Sequence, residues 1–462
     1  MEGQQVGGGN AGRRVEGPTG EDIADGLQFP PTSTGRDPVH AVTDPGRTRV
    51  VVTGMGAITP VGLDVASSWS ALRAGASGIG PITLFDASEL PVRIAGEVRG
   101  FDPVATLGHK LARRSSRNIQ FAIAAAREAV ADSGLDVASI SCEVGVCIGS
   151  GVGGMEVVEQ ATRTLDADGV RRVSPFAAAI SLIDMAAAAV AMDVGARGPN
   201  QAVVTACATG AGAVGEAGEW IRRGDAVAVL AGGTEAAITA TGIAMFSAAR
   251  ALSTRNDAPQ RASRPFDRDR DGFVSSEGCA VLVLEEREHA LARGATIHGE
   301  LSGYAATADA YHITAPDPTG DGAIRCIRLA LKRAGLTPAD IQYVNAHGTG
   351  TALNDAAETR AIKAVFEDAA YTTPISSTKS MTGHMLGAAG AIEAIVCLLA
   401  MRDGFMPPTI NLDNPDPECD LDYLPHTGRA ASITTAISTS FGFGGHNACL
   451  VLTRRETPER QL

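Results

Sequence analysis

Along the chain, short β-branched runs alternate with longer stretches whose apolar residues recur every three to four positions. The first run, Arg49-Val50-Val51-Val52-Thr53-Gly54, ends in a glycine turn, and further strands are predicted at 144–148, 226–231 and 280–284. Helical periodicity fills the intervals, as at 121–133. From about residue 297 the alternation begins afresh, with strands predicted at 297–303, 342–346, 374–378, 434–440 and 448–452. The pattern implies an α/β protein of two successive halves, 49–298 and 299–455, each a largely parallel sheet with helices on its faces. No short solenoid period is present, so any repeat is a duplication of whole halves.

Residues 1–48 hold ten glycines and five prolines with little periodicity, and are expected to form a flexible extension; 456–462 are a short tail. The Ala-rich stretch 176–192 is interrupted by Ser181 and Asp184, which predicts a buried helix rather than a membrane span. No basic start followed by an apolar core occurs near residue 1, so no secretory leader is expected. With 462 residues, 44% hydrophobic and 20% charged, the chain can bury a large core, which excludes a stapled mini-scaffold and global disorder. Lys+Arg total 39 against Asp+Glu 52, a net charge of −13 that argues against a surface devoted to nucleic acid or an anionic membrane. The eight cysteines form no CxxC pair, which fits a reducing, cytoplasmic compartment.

Two motifs carry less than their outlines suggest. Gly149-Ser150-Gly151-Val152-Gly153-Gly154 fits G-x-G-x-x-G, but it lies far from the first structured strand, and a tight backbone approach beside a cavity explains it better than a bound dinucleotide. Asp267-Arg268-Asp269-Arg270-Asp271-Gly272 copies the start of a calcium loop, yet position twelve is Gly278 and arginines interleave, so a salt-bridged turn is expected.

Three other segments bear on chemistry. Val204-Thr205-Ala206-Cys207-Ala208-Thr209-Gly210 places a cysteine between a β-branched run and an amphipathic helix, where unpaired N–H groups favour thiolate over thiol. A small buried core residue is the competing reading. Asn345-Ala346-His347-Gly348-Thr349-Gly350-Thr351 ends one predicted strand, and Ser377-Thr378-Lys379-Ser380-Met381-Thr382-Gly383-His384 ends another. Three polar, glycine-edged segments at strand ends are hard to account for as packing, because α/β folds gather reactive groups there.

From about Arg49 to Thr453 the sequence resembles the β-ketoacyl-acyl carrier protein synthases of the thiolase superfamily, most nearly the type II synthases of fatty acid synthesis. The resemblance is carried by Val52-Thr53-Gly54-Met55-Gly56, the runs around Cys207, His347 and Lys379, Ala249-Arg250-Ala251-Leu252-Ser253-Thr254-Arg255-Asn256, and Ser440-Phe441-Gly442-Phe443-Gly444-Gly445. It implies a thiolase-like fold whose two duplicated halves form a layered αβαβα body. The implied reaction condenses a cysteine-bound acyl group with malonyl-acyl carrier protein, releasing CO₂ and a 3-oxoacyl thioester two carbons longer.

By that resemblance Cys207 is the nucleophile, and the backbone N–H groups of Cys207 and Phe443 form the oxyanion hole. His347 and His384 stabilise the enolate, while Lys379 organises the site with Glu393 as its charge partner. Thr349 and Thr351 contact the phosphopantetheine arm, Val152 lines the acyl tunnel and Phe443 gates it. Lys110, Arg113, Arg114, Arg171, Arg172 and Arg250 match positions that meet the acyl carrier protein, an acidic partner that a basic patch on an acidic chain can steer. No cofactor beyond the substrate's phosphopantetheine and no metal is implied, and the family is built as a homodimer. His446, Ala177 and Ala179 depart from the family pattern, which leaves chain length and a type II polyketide ketosynthase open. A noncatalytic chain-length partner is disfavoured by Cys207, and a degradative thiolase by the paired histidines.

Overall fold

The computed structural model describes residues 48–454, so the expectations for 1–47 and 455–462 lie outside the described residues. The nine predicted runs and one short strand that was not predicted, β3, form one sheet of ten strands: β1 (Val50–Ile58), β2 (Val144–Gly149), β3 (Asn200–Gln201), β4 (Ala228–Glu235), β5 (Gly278–Glu286), β6 (Gly299–Ala308), β7 (Tyr343–Asn345), β8 (Ile375–Ser376), β9 (Thr435–Gly442) and β10 (His446–Thr453). Six helices alternate with them: α1 (Arg117–Ser133), α2 (Met185–Val194), α3 (Thr209–Arg223), α4 (Asp321–Ala334), α5 (Ala352–Phe366) and α6 (Ala389–Asp403). In these elements each half reads βαβαβαββ. The strand order β8-β7-β9-β10-β6-β1-β5-β4-β2-β3 is the same five-strand arrangement twice, joined where β1 meets β6 through Val51–Glu300 and Val52–Gly299.

The expectation of largely parallel sheets is corrected. In each half the first strand pairs antiparallel with the fifth and the fifth with the fourth, whereas the fourth, second and third run parallel. Parallel neighbours follow the helical crossovers, and β9 instead returns directly as β10 through a hairpin at Phe443–Gly445. Apolar periodicity does not report ladder direction, which explains the miss.

The halves clasp α3 and α6, each of which touches strands of both. Every residue of α6 from Ala389 to Met401 is buried, as an apolar helix surrounded on all sides should be. Helices α1 and α2 cover the outer face of the first half and α4 and α5 that of the second, giving the five layers. The two central helices approach closely at their starts, where a Cβ on Gly210 would fall 2.8 Å from Ala391 N and one on Gly390 2.6 Å from Ala211 N. Because α3 begins just after Cys207 and α6 just after His384, this crossing draws the two halves' polar segments together.

The stretch 176–192 is not one buried helix. It breaks into a short helix, Ala177–Ser181, and α2, and it leaves Phe176, Leu182 and Met192 exposed at 46%, 51% and 76%. Among the described residues no helix is long and apolar enough to cross a membrane. The acidic loop is the expected salt-bridged turn: Asp267 pairs with Arg264 and accepts the N–H groups of Asp269, Asp413 and Asn414.

Candidate active site

Cys207 lies in a single turn, Ala206–Ala208, that runs directly into α3. The preceding Ala206 has φ +49°, a left-handed conformation that costs a side-chain-bearing residue about 1–2 kcal/mol and kinks the chain. No strand leads into it, contrary to the strand-to-helix junction expected. Residues 202–205 are irregular because β3 sits at the sheet edge and stops after two residues.

The helix start does not leave Cys207 a thiolate. Burial pushes its thiol up to about 11, against the opposing pull of Lys379 and of the backbone N–H groups of Phe443 and Cys207. Desolvation outweighs the helix dipole here, so the resting group is the thiol. Those two N–H groups, which act on the sulfur from β3–α3 and from the β9–β10 hairpin, are the pair assigned to the oxyanion hole.

His347 and His384 face each other across the same cavity with ring centroids 5.3 Å apart and planes at 84°. Phe441 and Phe273 stand edge-on to them at 5.8 Å and 5.2 Å. Burial lowers both imidazoles well below their usual range, and Lys379 lowers them further, so both are neutral at pH 7. Lys379 Nζ is 3.4 Å from His347 Nδ1 and is ion-paired to Glu393. An ammonium there donates to Nδ1, which leaves the His347 ring proton on Nε2. Glu393 is a charged side chain within the apolar turns of α6, and a buried carboxylate is tolerated only when paired. Burial nonetheless pushes it up to about 7, with Lys379 opposing.

The cavity, about 400 Å³, is lined by Val152, Cys207, Arg250, His347, Thr349, Thr351, His384 and Phe443, so eight residues singled out from sequence converge on it. The Thr349 and Thr351 hydroxyls are 3.0 Å apart on its wall. Lys379 and Glu393 stand behind the histidines. Lys110, Arg113, Arg114, Arg171 and Arg172 do not reach this cavity; they are exposed, as is Arg250 at its edge. None of the six takes part in an ion pair among the described residues, and the Arg114 guanidinium lies 5.3 Å from the Phe176 ring centre. His446 is exposed beside the hairpin, where a Cβ on Gly444 would meet its ring at 3.2 Å.

Sequence reasoning missed the acids that fix the His347 loop. Glu358, 1% exposed on α5, accepts the N–H groups of His347 and Gly348 at 2.8 and 2.7 Å and the Thr439 hydroxyl at 2.8 Å. Asp355, one helical turn earlier, accepts the N–H groups of Thr349 and Phe266. Two acids three residues apart on a helix that directly follows the histidine loop were the available signal.

A cysteine at a helix start, two neutral histidines opposite it and a pair of N–H donors at its sulfur define a thioester-condensing class of site. The family models of the beta-ketoacyl synthase N-terminal and C-terminal domains match residues 47–290 and 298–413, and the chain belongs to the beta-ketoacyl synthase family. Among its relatives, 3-oxoacyl-[acyl-carrier-protein] synthase 2 of Synechocystis is 52% identical, covering 88% of this chain and 98% of that protein. The protein of the same name from Staphylococcus aureus is 51% identical over 88% of this chain and 99% of its own. A beta-ketoacyl synthase structure from Burkholderia phymatum superposes with TM-score 0.82 at 38% identity, covering 88% of this chain and all of that one. A type II polyketide ketosynthase in complex with its acyl-carrier protein gives TM-score 0.82 at 36% identity, covering 89% of this chain and all of that one.

Proposed function

We propose that this chain is an acyltransferase that elongates fatty acyl chains by decarboxylative condensation with malonyl-acyl carrier protein. The observation that supports this reading best is the convergence of Cys207, two buried neutral histidines and the Phe443 N–H on one cavity. In the first half-reaction the Cys207 sulfur attacks the acyl thioester, the Cys207 proton leaves with the pantetheine thiol, and the tetrahedral oxyanion rests on the Cys207 and Phe443 N–H groups. In the second, malonyl thioester loses CO₂, and the electron pair moves into an enolate whose oxygen His347 and His384 hydrogen-bond. The enolate carbon attacks the acyl-cysteine, the Cys207 thiolate leaves, and a proton from solvent restores the thiol. Neutral imidazoles suit this role, since an N–H donor can stabilise the developing charge without surrendering its proton, and the reading requires no metal. The relatives at 51–52% identity favour fatty acid elongation over the polyketide alternative.

Lys110, Arg113, Arg114, Arg171, Arg172 and Arg250 form the surface on which the acidic carrier docks, with Thr349 and Thr351 along the path of its pantetheine arm. The eight cysteines are all unpaired, which suits a reducing cytoplasm. Intact-mass analysis after incubation with acyl-carrier proteins of graded length is expected to show one acyl adduct on Cys207. Adding malonyl-carrier protein should discharge it as a product two carbons longer. An adduct that persists after malonyl addition would count against condensation.

A homodimer accounts for the exposed Phe176, Leu182, Met192 and Val204 beside the short edge strand β3, because a second copy can cover the apolar surface and extend the sheet. Sedimentation equilibrium should give twice the chain mass, and Met192→Glu with Leu182→Glu should shift it to monomer. A wild-type protein sedimenting as a monomer at micromolar concentration would refute this assembly.

A further inference from the structure

One buried acid in the cavity wall is not used by the mechanism. Glu235 ends β4 with 0% exposure, and its carboxylate gathers four donors from two separate loops. Oε1 accepts the Ser150 hydroxyl at 2.7 Å and Val152 N–H at 3.2 Å; Oε2 accepts Gly151 N–H at 2.8 Å and Gly387 N–H at 3.0 Å. Ser150 Oγ itself accepts Gly153 N–H at 2.9 Å while donating to Glu235. Three backbone N–H groups and the Ser150 hydroxyl thus favour a carboxylate, while complete burial pushes this acid up from its usual range. No cation lies within ion-pair distance of it among the described residues. The fit is tight: a Cβ on Gly151 would sit 2.7 Å from Glu235 Oε2, and one on Gly387 2.6 Å from Gly151 N.

The two loops have different duties in the reading above, on which this inference rests. Ser150–Gly153 carries Val152, which lines the acyl cavity, and Gly387 lies three residues beyond His384 in a segment where Leu386 holds a left-handed φ of +44°. We propose that Glu235 is a positioning residue that locks the acyl-tunnel wall at Val152 to the His384 loop, so that seating of the acyl chain and alignment for decarboxylation are set together. Its negative charge also bears on Cys207, raising the thiol, while Lys379 lowers it. The other titratable or charged groups on this cavity are Arg250, Arg270, Asp271, Asp309 and the two neutral histidines, His347 and His384, with Glu393 behind them paired to Lys379.

Glu235→Gln tests this, because glutamine keeps the volume but points an NH₂ at donors that need an acceptor. Single-turnover measurements on the purified protein are expected to show condensation falling about tenfold or more while Cys207 acylation falls much less, with the ratio varying with acyl chain length. The pH profile of iodoacetamide alkylation of Cys207 should move down by roughly half a unit, since a negative charge near the thiol has been removed. This second readout needs no carrier protein, so it stands even if the proposed reaction is wrong. A purely structural role would lower acylation and condensation in equal proportion and leave the alkylation profile in place. That result, or wild-type behaviour in both assays, overturns the proposal. Should Glu235→Gln fold poorly, Ser150→Ala removes one donor to Glu235 together with the acceptor of Gly153 N–H, and is expected to shift the condensation-to-acylation ratio in the same direction by a smaller factor; an unchanged ratio there overturns it equally.

Discussion

Cys207→Ala is expected to abolish condensation, by about 10⁴-fold or more, and to remove the acyl adduct altogether. The size follows from the two-step route: without the sulfur there is no acyl-enzyme, and the enolate has no bound electrophile. With the thiol held up to about 11, roughly one site in several thousand carries thiolate at pH 7.5. Iodoacetamide alkylation of the wild-type protein should therefore accelerate close to tenfold per pH unit from 8 to 10. A plateau below pH 9 would show that burial had not overruled the helix start. Cys207→Gln provides the complementary measurement, since it blocks acylation but fills the space of an acylated cysteine. It should abolish condensation yet retain release of CO₂ from malonyl-carrier protein, and loss of both in a folded variant would break the division of labour between Cys207 and the histidines.

The second large effect concerns those histidines. Removing either N–H donor, as His347→Ala or His384→Ala, is expected to slow decarboxylation by about 10²–10³-fold, the usual cost of one donor at a developing oxyanion. Acylation of Cys207 should survive in both, because its oxyanion rests on backbone N–H groups. Asparagine at either position restores a donor and should recover part of the loss. The pH profile adds a sharper check. Both imidazoles lie well below 6.5, so neither should protonate between pH 8 and 6, whereas Glu393, held near 7, titrates in that window. An inflection near pH 7 that vanishes in Glu393→Gln belongs to that carboxylate. One that persists there assigns an ordinary pKa to a histidine, contrary to the burial account.

Most of the site was readable before any coordinates, because its chemistry sits in short contiguous segments. Cys207, His347, Lys379 and His384 each stand in a glycine-edged run beside a predicted element, and Glu393 is a charge in an otherwise apolar helix. The acids at 235, 355 and 358 were missed. Asp355 and Glu358 left only the faint signal of two acids one turn apart behind the histidine loop, whereas Glu235 acts through backbone N–H groups 84 and 152 positions away, and nothing in the local pattern around it distinguishes a buried acceptor from a solvated one. The same limit applies to 176–192, whose composition suits a core helix but whose two short helices present Phe176, Leu182 and Met192 outward.

By itself, the sequence determined the α/β class, the fresh start of the alternation near residue 297 and the residues proposed to carry the chemistry, since periodicity and motif are local properties of the chain. The tertiary structure alone decided ladder direction, the antiparallel return strands of each half, and the resting state of Cys207. It also decided that Gly210 and Gly390 let two central helices meet so that a cysteine from one half faces a histidine from the other. These depend on distance and burial between residues far apart in sequence, and desolvation in particular has no signature until the surrounding chain is in place.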